Sequence, residues 1–159
     1  NALLPHYPVQ WVELDAADVL IEHGADKTVA VIGHFPFTDR VREQVGTLHV
    51  LELNPGPGDL PASAAPEILP QADVIAITSM TMLNGSFEGL VKLCNPDALT
   101  LTLGPTTPLS PVLFNHGLDL LSGSIVDDID AVLRHVRQGA NFRQVKRAGV
   151  RLVTMRPAE

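Results

Sequence analysis

His34, Glu52 and Asp59 are the residues whose types and spacing bear most directly on chemistry. His34 follows Gly33 where the apolar run Val29-Ala30-Val31-Ile32 meets Phe35-Pro36-Phe37, so it stands in a turn and not on a buried face. Glu52 closes the next apolar run, nineteen residues after Gly33. That is the position from which an acidic residue bonds a ribose in dinucleotide-binding folds. Asp59 ends the segment Asn54-Pro-Gly-Pro-Gly-Asp59. One imidazole with two carboxylates is a donor set for a borderline divalent transition metal, the remaining ligands coming from water, substrate or another domain. His34 also fits a plainer role, a turn residue that positions its loop by hydrogen bonding.

Other polar residues gather in short loops that each follow an apolar run. They are Thr78-Ser79 with Asn84, Gly104-Pro-Thr106-Thr107-Pro-Leu-Ser110, and Ser122-Gly-Ser124. Small polar residues at such points bring hydroxyls and backbone N–H groups to one edge of a parallel sheet, which suits an anion or polar small molecule. The same residue types are also what turns and helix caps require. The candidate ligand-binding set is therefore Gly33, His34, Phe35, Glu52, Asn54, Thr78, Ser79, Asn84, Gly104, Thr106, Thr107 and Ser110; the metal set is His34, Glu52 and Asp59. No residue is assigned a catalytic role, and an enzymatic activity is left open.

Several chemistries are excluded or reduced. Gly33-His34-Phe35-Pro36-Phe37-Thr38 stands where a glycine fingerprint would bind a pyrophosphate, and the Phe-Pro pair obstructs that approach. Classical NAD binding is not expected, which leaves a nucleoside cofactor such as S-adenosylmethionine, with Glu52 on the ribose, as the enzymatic alternative, and a scaffold domain whose crevice is closed by a partner as the other. There is no C-x-x-C or H-E-x-x-H spacing for a preformed zinc site. Cys94 recurs with Phe87, Leu90 and Val91 at helical spacing and reads as core.

The elements that must position these groups alternate. Thr28–Gly33, Leu48–Leu53, Asp73–Thr78, Ala98–Leu103, Leu118–Leu121 and Val150–Met155 read as strands. Between them, helical patterns cover a short helix capped by Asp15 and ended by Gly24, Thr38–Val45 with Gly46 as a left-handed cap, Ala62–Leu69 closed by Pro70, and Phe87–Cys94. Ser79–Gly85 reads as a loop, and Asp127 or Asp128 caps a helix with Ala131, Val132, Leu133 and Val136 facing inward. Such alternation demands crossover connections, hence a Rossmann-like three-layer α/β fold with a mostly parallel sheet of about five or six strands.

The chain has 159 residues, enough for one core. Residues 1–12 read as a connector or the tail of a preceding element, and 13–159 as the domain. With 45% hydrophobic and 18% charged residues it is a folded interior rather than a disordered tail. A formal charge of −7, with no basic cluster longer than Arg143-Gln144-Val145-Lys146-Arg147, argues against nucleic acid as a partner. No apolar run reaches the roughly 18 residues of a membrane span. The lone Cys94 excludes an internal disulfide and fits a reducing, cytoplasmic setting.

Five strings, VAVIGHFPF, LELNPGPGDLPASAAPEILPQADV, TSMTMLNGS, GPTTPLSP and AVLRHVRQGANFRQVKRAGVRLVTMRP, occur in an order that resembles the heavy-metal chelation domain family. The resemblance covers roughly residues 13 to 157. It implies a Rossmann-like carboxyl-terminal domain that follows an enolase amino-terminal-like domain, a ligand site in the cleft between the two, and a proposed role in binding or chelating metal. Asn1-Ala2-Leu3-Leu4 looks like the end of that first domain. Expected partners are thus a small molecule or metal ligand, the absent first domain and a further copy of the chain.

Overall fold

Val29–Ile32 and Val74–Ile77 are apolar at every position, a pattern that suits strands covered on both faces. The computed structural model describes residues 11–157. The expected connector therefore falls outside the described residues up to residue 10, while its last two residues, Trp11–Val12, form a strand. Eight strands make one sheet: β1 (Trp11–Val12), β2 (Thr28–Ile32), β3 (Thr47–Glu52), β4 (Leu60–Pro61), β5 (Val74–Thr78), β6 (Leu99–Leu103), β7 (Leu120–Val126) and β8 (Val150–Met155). Their order is β1-β8-β7-β6-β5-β2-β3-β4. All pairs from β4 to β7 are parallel, whereas β8 runs antiparallel to both β7 and β1. With β2 numbered first, the six parallel strands stand in the order 3-2-1-4-5-6, that of a Rossmann-like sheet. The additions beyond the expected strands are the two-residue edges β1 and β4, too short to leave a periodic signal.

Alternate side chains of the central strands supply two cores. Ala30, Ile32, Ile75 and Ile77 meet Ala65, Leu69 and Phe87 on one face, which carries α3 (Ala65–Ile68) and α5 (Phe87–Val91). Val29, Val31, Val74 and Ala76 meet Ala17, Val19, Leu20 and Val41 on the other, which carries α1 (Ala16–Gly24) and α2 (Thr38–Arg42). Two aspartates hold the parallel register at the amino-terminal edge: Asp73 accepts the Thr28 N–H at 2.9 Å, and Asp119 accepts the Thr100 N–H at 2.7 Å.

Several local expectations are corrected. The helix expected over Thr38–Val45 ends at Arg42, and Gly46 is not a left-handed cap, whereas Gly24 ends α1 as expected and the positive φ of 58° beyond it belongs to Asp26. Both glycines serve close approach. A Cβ on Gly24 would lie 2.5 Å from Val29 Cγ2, and one on Gly46 would lie 2.7 Å from the Asp26 and Lys27 backbone. The turns before β2 and β3 touch at this point, with the Gly46 N–H donating to the Gly24 carbonyl at 3.2 Å.

Pro70 does not close a single helix, because the stretch divides into a 3₁₀ turn, α3 and a second 3₁₀ turn, Leu69–Gln71, that contains it. Ser79–Gly85, expected as a loop, holds α4 (Met80–Asn84), closed by Gly85 at a φ of 78°. Ser122-Gly-Ser124, also expected as a loop, lies within β7.

Asp128, not Asp127, caps α6 (Ile129–Arg137) through the Ala131 N–H. Leu133 and Val136, expected inside, are 44% and 54% exposed, because α6 packs on α7 (Phe142–Gly149) rather than on the sheet and buries only Val132. No helix among the described residues is long and apolar enough to cross a membrane.

Arg151 clamps the antiparallel edge by donating to Asp127 at 2.6 and 2.9 Å and to Glu13 at 2.7 Å. Hydrogen bonding to its guanidinium holds the Asp127 carboxyl below its usual range. A carboxyl depressed by folding contributes stability at pH values above its unfolded value, and that contribution disappears as the pH falls through the folded one. Thermal melting should therefore place wild type above Asp127→Asn near neutral pH, with the gap narrowing as the pH falls through the acid range. Gly46→Ala should cost about 1–3 kcal/mol in urea unfolding, the scale of overpacking against backbone; a neutral result would sink the close-approach account.

Candidate functional site

The parallel strands send β2 and β5 in opposite directions across the sheet order, one towards β3 and the other towards β6. A crevice opens beyond the carboxyl ends of strands at such a switch point. Here it has a volume of about 490 Å³ and is lined from β2 by Gly33, His34 and Phe35, from β3 by Leu51, Glu52 and Leu53, and from the β5 side by Thr78, Met80, Thr81 and Asn84. Gly33 makes its floor possible. At a φ of 101°, with any Cβ falling 3.3 Å from the Thr78 side chain, no larger residue fits without strain.

Two carboxylates shape the wall that carries His34. Glu52 Oε2 accepts the His34 N–H at 3.0 Å and Oε1 accepts the Leu53 N–H at 2.8 Å, so one side chain ties the turn after β2 to the turn after β3. Asp59, with a side chain only 2% exposed, faces His34 Nδ1 at 3.0 and 3.1 Å and accepts the Gly56 N–H at 3.1 Å. An ionised carboxylate only accepts, so the proton of a neutral His34 ring sits on Nδ1 and Nε2 keeps its lone pair. Nε2 has no hydrogen-bonding partner among the described residues, and the His34 side chain is 50% exposed.

Of the expected metal set, Asp59 meets the His34 ring while Glu52 meets only the His34 and Leu53 backbone N–H groups, so both carboxylates are engaged with backbone N–H groups or the imidazole. Among the described residues no group of three or more His, Cys, Asp or Glu side chains is placed to hold a metal ion. The described residues do not by themselves form a self-contained metal centre. Cys94 adds nothing, since burial pushes its thiol up to about 11, away from the thiolate form that binds metals.

The other candidate residues divide by position. Gly33, His34, Phe35, Glu52, Thr78 and Asn84 come together in the crevice. Asn84 Oδ1 is occupied by the Ser86 N–H and hydroxyl, at 3.0 and 2.7 Å. Ser79 Oγ and Thr106 Oγ1 bond to each other at 2.9 Å and join the loops after β5 and β6. Gly104 lines a second cavity. Asn54 is exposed on its loop outside both cavities, while the Thr107 and Ser110 hydroxyls are buried without a hydrogen-bonding partner.

Sequence reasoning missed Met80 and Thr81 because α4 was read as a loop, and Ser86 and Leu90 because they were read as a cap and core of the next helix; the MTMLN pattern before Gly85 is the signal for α4. Glu52 occupies the ribose-binding position of a dinucleotide fold, but its two oxygens are turned to the chain's own amides.

Known proteins of similar sequence and structure share this arrangement of elements. A structure from Desulfitobacterium hafniense, of unknown function, superposes with a TM-score of 0.77 at 35% identity, over 94% of this chain and 59% of that one. A second, from Pyrococcus horikoshii and also of unknown function, gives 0.80 at 20% identity, over 92% and 60%. An uncharacterized protein of Methanocaldococcus jannaschii is 23% identical over 129 residues, 77% of this chain and 50% of its own length. The chain thus spans between half and three-fifths of these relatives. Both solved relatives are members of the DUF364 family, and residues 15–155 match that family's pattern; the chain belongs to this family, which is described as "Putative heavy-metal chelation".

Proposed function

We propose that this chain is a ligand-binding domain whose crevice takes a heavy-metal ion already held by a small chelating molecule, with His34 Nε2 as the protein's donor to the ion. The supporting observation is the Asp59–His34 pair: a buried carboxylate orients an exposed imidazole and leaves one nitrogen free. Outer carboxylates of this kind fix the tautomer and raise the basicity of a ligating imidazole. A bare ion requires about four protein donors in a closed site, and this crevice offers one free imidazole nitrogen, with Met80 elsewhere in its lining. Its volume of about 490 Å³ is that of a small-molecule site rather than an ion cage.

The ion is cargo in this reading. His34 binds it, Asp59 holds the imidazole in place, and Glu52 keeps the turn that presents His34 closed against the β3 turn. The enolase-like first domain expected from the sequence resemblance supplies the opposite wall of the crevice.

Nickel nitrilotriacetate is a suitable probe, because the chelator leaves coordination positions open for an imidazole. Calorimetric titration should show binding that His34→Ala removes and that Asp59→Asn weakens by about 10- to 100-fold, the usual cost of losing such an outer partner. Nickel chloride alone should bind more weakly than the chelate. Equal affinity of wild type and His34→Ala for the chelate would remove His34 from the site and defeat the proposal.

A further inference from the structure

A second cavity, of about 320 Å³, lies at the same edge of the sheet but on the face of α1 and α2. We infer that it is a binding site for a planar apolar ring, an inference independent of the metal reading.

Three observations lead there. Phe35 and Phe37 stack with centroids 5.1 Å apart and planes within 6°, so two parallel rings form one wall, and Phe142, 41% exposed, stands at the cavity as a third aromatic. Offset stacking on such a wall favours a flat partner. Leu103 and Leu152 supply aliphatic lining between these walls.

The polar groups at the lining are already engaged. Ser122 Oγ and Thr154 Oγ1 lie 2.9 Å apart, and Thr154 donates its proton to the Leu14 carbonyl at 2.9 Å, so Ser122 must be the donor to Thr154. The Ser122 carbonyl accepts the Gly104 N–H at 3.1 Å, and the Asp15 carboxylate caps α1 through the Ala17 N–H. Water in such a cavity finds few hydrogen bonds and is readily displaced by an apolar group. The volume sits at the small end of ligand sites, which run from about 300 to 1,000 Å³, and matches one or two fused rings rather than a nucleotide. The pocket thus selects on shape and apolarity.

Indole is the probe. Calorimetry together with saturation-transfer NMR should show one saturable site per chain. Ala16→Leu, which extends a side chain into the cavity from the first turn of α1, should weaken binding at least tenfold, Phe142→Ala should weaken it several-fold, and His34→Ala should leave it unchanged. The inference is overturned by the absence of saturable binding, by wild-type affinity in Ala16→Leu, or by loss in His34→Ala, which would place indole in the other crevice. Phe142 is partly exposed and its replacement leaves the core intact, so unchanged affinity in Phe142→Ala would be decisive even if Ala16→Leu failed to fold.

Discussion

Parallel strands end in backbone N–H groups that the next strand cannot reach, and an N–H left unpaired costs free energy comparable to a lost hydrogen bond. This chain meets that demand with carboxylates at both edges of the sheet. Asp73 and Asp119 accept the N–H groups of Thr28, first in β2, and of Thr100, second in β6. Glu52 does the same beyond β2 and β3, and Asp59 accepts within the loop that follows. These four acidic residues are thus architectural, and Glu52 and Asp59 hold turns in the shapes that make the crevice.

That use of charge sets the chemistry available at the ligand edge. Once Glu52 is bound to two amides and Asp59 to Gly56 and the His34 ring, the crevice has a rigid donor and few spare anions. Rigidity is itself functional: an imidazole oriented before its ligand arrives forfeits less side-chain freedom on binding. Phe35 lines both cavities, so the segment that carries His34 also forms part of the apolar wall on the other face.

Much of this architecture was legible in the amino-acid pattern. The all-apolar runs at β2 and β5 and the alternation of strands and helices led to the parallel sheet, and the turn at Gly33-His34 led to the crevice. The errors have physical causes. Glycine signals both left-handed turns and close packing, and composition does not distinguish them, hence Gly46. Ser122-Gly-Ser124 looks like a loop, yet buried hydroxyls are tolerated inside β7 because Ser122 bonds Thr154 across the β7–β8 pair. Leu133 and Val136 have helical spacing, but periodicity shows which residues share a face and not what covers it. The carboxylates of Glu52 and Asp59 were correctly placed near His34, while their bonding to nearby amides is a matter of angles that no residue spacing records.

The shortness of β4 leaves part of one sheet edge open. Only Leu51 and Glu52 of β3 are paired on that side, by Leu60 and Pro61, which leaves the outer backbone of Thr47–Val50 without a strand partner among the described residues. An open strand edge is a template on which another chain can add and from which aggregates grow. Pro61 cannot donate to a further ladder, and the Arg42 guanidinium reaches back to the Leu48 carbonyl at 3.5 Å, placing a positive charge over the open stretch. At this edge of the sheet one imino acid and one cation thus oppose the addition of a further strand.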